Sequence, residues 1–211
     1  IRSQVPSFRL PKKILDEEVN YILDLGVKTY FNTYISSMKA FLNKDYDAVF
    51  VGTGAPRGRD LDLPGRQEGN PFIHIGIQWL ASVQYGHKKK AGKTTLVIGG
   101  GNTAMDCCRT ARRMGGETVK VVIRGSREKM KASAWEVEDA LREDIPIVEH
   151  LSPVEFVMEN NRLTGMNFQP ATGSPASDLK PVFIPCDEVL LAVGQQNAFP
   201  WIEKEVGLIF D

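Results

Sequence analysis

Cysteine is scarce in this chain. Cys107, Cys108 and Cys186 are the three among 211 residues, and none belongs to a C-x-x-C pair. That pattern excludes a disulfide-stapled scaffold and points to a reducing compartment, the cytoplasm. A bridge between Cys107 and Cys108 would be strained inside a helix, so the cysteines read as small buried apolar residues. Charge of one sign is not in excess either. Lys and Arg number 26, as do Asp and Glu, so the formal net charge is zero. Neither nucleic acid nor a membrane surface is therefore an expected partner. No apolar run approaches the roughly 18 residues that a membrane span requires. Internal repeats and low-complexity stretches are missing. Ile1-Arg2-Ser3-Gln4-Val5-Pro6 lacks the pattern of a signal peptide, and with no initiator Met the chain reads as a segment of something longer. What is present, 42% hydrophobic and 25% charged residues, suits a globular core in one large or two small domains.

Periodicity places the elements. Residues 11–25 read as a helix, with Leu15, Val19, Ile22 and Leu25 at helical spacing and Gly26 as its stop. Strands are expected over 27–31 and 46–51, the second running into Gly52-Thr53-Gly54-Ala55-Pro56. Residues 57–70, rich in Gly, Pro and Arg, read as a linker, and 72–84 as a helix. His87-Lys88-Lys89-Lys90 reads as a solvated loop rather than a docking patch for an acidic partner. A buried strand is expected over 94–98, a helix over 102–114 with Ala104, Cys108 and Ala111 inward, and a second buried strand over 119–123. Arg109, Arg112 and Arg113 fall in the second half of that helix, where its dipole favours cations. Ser133-Ala134-Trp135-Glu136 matches a capping box opening a helix to about residue 143. A strand over 145–148, a hairpin of 154–158 with 163–168 turned by 159–162, and a final strand over 187–193 complete the reading.

The chemistry centres on Gly99-Gly100-Gly101-Asn102-Thr103-Ala104, which fits G-x-G-x-x-A between an apolar strand and a helix. The first glycine permits a tight turn. Gly101 lets a diphosphate approach the backbone, and Ala104 lets the helix pack on the sheet. The helix start offers free N–H groups and partial positive charge, and Asn102 or Thr103 can cap it and donate to the same phosphates. A βαβ unit of this kind binds the pyrophosphate of a nicotinamide dinucleotide. At the end of the second strand, where an acidic residue would take the ribose 2′-OH of NADH, stands Arg124, with Arg127, Lys129 and Lys131 around it. Guanidinium forks match a phosphate, which favours NADPH and leaves NADH possible. Glu128 would partly neutralise that cluster. Gly92-Lys93-Thr94 resembles the end of a P-loop, but His87 occupies the required first glycine and a strand follows, which disfavours a P-loop nucleotidase. Gly52-Thr53-Gly54 resembles a second dinucleotide fingerprint, yet Pro56 and Arg57 argue for a crossing loop. His74, His87 and His150 show no paired carboxylate at a telling spacing, and no catalytic side chain is expected.

Four further stretches carry a resemblance. They are Val5-Pro6-Ser7-Phe8-Arg9-Leu10-Pro11-Lys12, Tyr46 through Ala55, Val97 through Asp106, and Ala192-Val193-Gly194-Gln195. On these the chain resembles the small (beta) subunit of glutamate synthase and its relatives, including the flavin and NADPH region of dihydropyrimidine dehydrogenase. The resemblance implies an α/β fold of the FAD/NAD(P) disulfide-oxidoreductase type: a Rossmann-like three-layer nucleotide-binding domain with a β-meander, plus partial flavin-domain segments. It implies residues 1–55 as a partial FAD-domain segment, 56–190 as the NAD(P)H-binding domain, and 191–211 as the return into the FAD domain. Gly52, Thr53, Gly54, Gly194 and Gln195 are cofactor-binding by the same resemblance.

The implied activity is hydride transfer from NADPH to FAD, with electrons passing to iron–sulfur clusters, a partner subunit or a larger catalytic subunit. Two flavin motifs of the family would lie outside residues 1–211, and no cluster-ligating cysteine set is present. Where the family usually has two adjacent arginines, Gly125 stands in place of the second. Lys131 stands where many relatives carry Pro, and 176–185 is shorter than in typical relatives. The rival reading is a non-catalytic module of a larger complex that senses or docks a pyridine nucleotide.

Overall fold

The computed structural model describes residues 1–173 and 180–208. Residues 176–179 of the 176–185 stretch singled out above therefore lie outside the described residues.

Helix α1 (Lys12–Leu23) follows Pro11, whose fixed φ suits a helix entrance, but none of its residues is buried. Its apolar stripe is present and meets no layer: Val19 and Ile22 are exposed. Helix α2 (Met38–Leu42) was not anticipated. Ser37 caps it by accepting the Ala40 N–H at 3.0 Å. The strands expected over 27–31 and 46–51 do not form. Both stretches are irregular, and neither joins a sheet. A strand exists only beside a hydrogen-bonding neighbour, and neither stretch pairs with another described segment.

The expected linker over 57–70 is built structure. It opens with β1 (Arg57–Gly58) and continues through turns in which Arg66 is buried and paired with Asp60 at 2.7 Å. Residues 73–75, expected to open a helix, instead form β2 (Ile73–Ile75), and the helix α3 (Gly76–Gln84) follows. The alternating Ile-His-Ile pairs with a central strand, and that tertiary pairing overrides local helical periodicity.

From there the βαβ reading holds. Strand β3 (Thr94–Ile98) leads through the glycine turn to α4 (Asn102–Arg113) and β4 (Thr118–Val122). Helix α5 (Ala134–Arg142) and the short β5 (Ile147–Val148) come next. Strands β6 (Leu151–Glu159) and β7 (Arg162–Pro170) form the expected hairpin. Its two-residue loop, Asn160-Asn161, has positive φ at both positions, as a type I′ turn demands. Then come β8 (Val182–Pro185), β9 (Glu188–Leu191) and β10 (Gln195–Gln196), the last paired antiparallel with β1.

Five strands make one parallel sheet in the order β2-β9-β3-β4-β5, and β6-β7-β8 form an antiparallel meander. Side chains alternate across the parallel sheet. Val97, Val121 and Leu190 meet Trp79, Ala104, Cys108 and Ala111 of the helices on one face. Leu96, Ile98 and Leu191 meet Phe156, Met166 and Phe168 of the meander on the other. These strands are mostly apolar because both faces are covered. The result is a three-layer α/β domain whose β3 and β9 end side by side.

Candidate functional site

The glycine turn is dictated at its first residue. Gly99 sits at φ +134°, and a Cβ there would lie 2.2 Å from the Ala192 carbonyl oxygen, so no other residue fits. Gly100 is tight against Ile123 and Met130, whereas the Cβ direction of Gly101 opens into free space. Gly101 sits at the N-cap of helix α4 and offers no side-chain cap. The N–H groups of Asn102 and Thr103 consequently meet no acceptor among the described residues. Ala104 is fully buried, which brings the helix close to the sheet. A cleft of about 220 Å³ runs over this turn, with Gly101, Asn102 and Thr103 on one wall and Ala192, Gly194 and Gln195 on the other. Gln195 Nε2 donates to Thr103 Oγ1 at 3.2 Å across it. Gly194, at φ +120°, has its carbonyl held by the Arg59 N–H at 3.0 Å.

Beyond β4 the chain leaves the buried Ile123 and exposes Arg124. The loop is fastened at both ends. The Arg127 N–H donates to Glu149 at 2.7 Å, and the Lys131 and Ala132 N–H groups both donate to the Gly100 carbonyl. The side chains of Arg124, Arg127 and Lys131 are exposed, and among the described residues none is in an ion pair. Glu128 makes no ion pair with them among the described residues, but it is ionised beside Arg127. Its carboxylate is held below the usual range by its own backbone N–H and by Ser126, with Arg127 and His150 contributing. Free donors for a diphosphate and free cations one strand away are what a dinucleotide with an extra phosphate needs.

A family model described as pyridine nucleotide-disulphide oxidoreductase matches residues 12–210. The chain belongs to that family. It is 31% identical to the NADPH-Fe(3+) oxidoreductase subunit beta of Geobacter sulfurreducens, over 97% of this chain and 32% of that protein. It is 35% identical to the NADP(+)-dependent formate dehydrogenase subunit beta of Moorella thermoacetica, over 96% and 30% respectively. With the glutamate synthase [NADPH] small chain of Halomonas elongata it shares 29% identity, over 98% and 48%. The chain thus spans from 30% to 48% of the length of these relatives. Among solved structures, a variant of FprA from Mycobacterium tuberculosis superposes with a TM-score of 0.72 at 14% identity, over 93% of this chain and 61% of that one, which shows a shared fold.

Not every anticipated residue of this family member reaches the cleft. Gly101, Asn102, Thr103, Gly194 and Gln195 line it, Gly99 and Gly100 form the turn that leads to it, Ala104 is buried beneath it, and Arg124, Arg127 and Lys131 stand on the adjoining loop. Gly52, Thr53 and Gly54 lie in an exposed irregular stretch outside its lining. The capping box does not form. Ser133 makes no side-chain cap, and Glu136 turns inward, fully buried, to pair with Arg9 and Arg109. Asn102 also departs from expectation: its Oδ1 accepts the Ser133 N–H at 2.8 Å rather than capping its own helix.

Sequence reading missed a charged cluster at the opposite end of β9. His74 does have a carboxylate partner: its Nε2 lies 3.2 Å from Glu188 Oε1. Glu188 also accepts from the Gly92 N–H at 2.7 Å, from Trp79 Nε1 at 3.3 Å and from Lys88 Nζ. Lys88 is therefore an anchored residue within a run read as solvated. Burial by itself would raise the Glu188 pKa, but the bonds from His74, Gly92 and Lys88 outweigh it and bring it to about 2. A larger cleft of about 390 Å³ borders this cluster. Its cations are committed to neighbours, Lys88 to Glu188 and Arg66 to Asp60 and Asn70, so it presents little free charge to a ligand. The contacts of Glu188 join residues far apart in the chain, and no local spacing signals them.

No helix among the described residues is long and apolar enough to cross a membrane, and the three cysteines are free and buried.

Proposed function

We propose that this chain holds NADPH as the pyridine-nucleotide portion of a flavin oxidoreductase, with NADH a weaker alternative. The carrying observation is the uncapped start of α4, where unsatisfied N–H groups face the open side of Gly101. Gly99, Gly100, Gly101, Asn102, Thr103 and Ala104 cradle the diphosphate. Arg124, Arg127 and Lys131 take the 2′-phosphate. Gly194 and Gln195 line the side of the cleft facing the nicotinamide half, and Gly52, Thr53 and Gly54 belong to the flavin side. Residues 56–190 form the NAD(P)H domain, and 1–55 with 191–211 are pieces of a flavin domain. The buried thiols suit a reducing cytoplasm.

When bound, the nicotinamide supplies a hydride and FAD accepts it; that chemistry belongs to the cofactors. The residues of this chain bind and orient the donor. Relatives named as beta subunits and small chains support onward electron flow to an iron–sulfur protein or a larger catalytic subunit.

Calorimetry with the two reduced nucleotides tests the reading. Arg124→Ala is expected to weaken NADPH binding by roughly 1.5–3 kcal/mol, as for a lost hydrogen bond to a charged group, and to leave NADH nearly unchanged. Equal loss for both would overturn the assignment of the 2′-phosphate site.

A further inference from the structure

The basic loop and the glycine turn are separate in sequence yet bolted together. The Lys131 and Ala132 N–H groups donate to the Gly100 carbonyl at 3.0 and 3.1 Å. The third bond comes from a side chain: Asn102 Oδ1 accepts the Ser133 N–H at 2.8 Å. An N–H must face an acceptor, so the amide oxygen of Asn102 is turned to the loop, away from any phosphate role. At its far end the loop is tied by Arg127 N–H to Glu149 and by His150 N–H to the Gly125 carbonyl at 3.2 Å. Arg124 directly precedes the tied Gly125, and Arg127 and Lys131 are tied through their own backbone N–H groups; the side chains of all three are exposed and in no ion pair among the described residues.

We propose that Asn102 is a positioning residue that sets discrimination between NADPH and NADH. It fixes the loop carrying the cations against the turn that takes the diphosphate. This inference rests on the 2′-phosphate reading given above. Both nucleotides carry the diphosphate, so a side chain that only touched it would serve both equally. A side chain that aligns the basic loop serves the nucleotide with the additional phosphate.

The test compares NADPH and NADH affinities of the full-length protein and four variants. Asn102→Ala removes the acceptor. Ser133→Pro removes the donor, and Ser133 has φ −60°, which proline adopts without strain. Asn102→Asp keeps an acceptor and adds charge near a group that both ligands share. Arg124→Ala is the control for the underlying reading. Asn102→Ala and Ser133→Pro are each expected to weaken NADPH about 3- to 10-fold more than NADH, the range of one net hydrogen bond. Asn102→Asp is expected to weaken both and preserve their ratio. If Asn102→Ala and Ser133→Pro weaken both nucleotides equally, or neither, while Arg124→Ala stays selective, the positioning role is wrong and the 2′-phosphate site stands. A non-selective Arg124→Ala removes the reading beneath it, and the proposal with it.

Discussion

Two buried carboxylates show how neighbours decide ionisation. Glu188 and Asp106 are 2% and 5% exposed, yet they shift in opposite directions. Glu188 has several donors and falls to about 2. Asp106 is raised to about 6, first by desolvation and then by nearby Glu136, against the pull of Arg9. Its Oδ1 is buried with no hydrogen-bond partner. The linkage follows from the signs. The folded-state pKa of Glu188 lies below its unfolded value, so its contribution is complete above about pH 4.5 and is lost as pH falls towards 2. Glu188→Gln is expected to cost roughly 3 kcal/mol at pH 7 and progressively less below pH 4.5. For Asp106 the folded state holds the proton more tightly, so its contribution is complete below about pH 4 and is lost as pH rises through about 6, beyond which both states are ionised. The effect of Asp106→Asn is expected to become more favourable as pH rises from 4 to 7.5. Urea unfolding of wild type and both variants across this range checks the two slopes; parallel behaviour would contradict the assignment.

Elements divide by whether their hydrogen bonds are local. The run β3-α4-β4 and the β6–β7 hairpin were legible to within a few residues, because apolar strands, a glycine turn and Asn-Asn each carry a local signal. Strands over 27–31 and 46–51 were expected on the same kind of evidence and are absent, since a strand takes its bonds from elsewhere in the chain. The stretch over 57–70 was misread for the converse reason. Its glycines and prolines suggested a loose linker, but they permit close packing on the meander. Gly65, at φ +78°, would place a Cβ 2.0 Å from the Phe156 carbonyl oxygen, and the Phe156 N–H donates to the Pro64 carbonyl at 2.9 Å. Gly65→Ala is therefore expected to destabilise the domain by about 2–4 kcal/mol, combining the left-handed backbone cost with a backbone clash. A denaturation midpoint within error of wild type would show that the connection yields instead.

At the scale of the molecule, the amino-terminal segment straps across the helical layer. The Phe8 ring lies under the guanidinium groups of Arg109 and Arg113 at 4.9 and 4.0 Å. Arg9 reaches Asp106 at 2.8 Å and also pairs with the fully buried Glu136. Removing one partner of such a pair strands a buried charge. Arg9→Ala is expected to cost about 3 kcal/mol and to expose residues 1–10 to limited proteolysis. Unchanged protection would mean the strap is held by other contacts. The apolar side chains between residues 27 and 50 tell the opposite story: Phe31, Tyr34 and Phe50 are 76%, 81% and 95% exposed, with no layer of the described residues to enter. By itself the sequence determined the glycine turn, the buried βαβ unit, the hairpin and the basic loop, because each depends on steric and hydrogen-bonding rules acting within a few residues. Only the tertiary structure decided the partners of Glu188 and Glu136, the outward strand β2, the strap and the contact of Asn102 with Ser133. Those depend on which distant groups a close-packed fold brings within hydrogen-bonding distance, and that distance is a property of the whole chain.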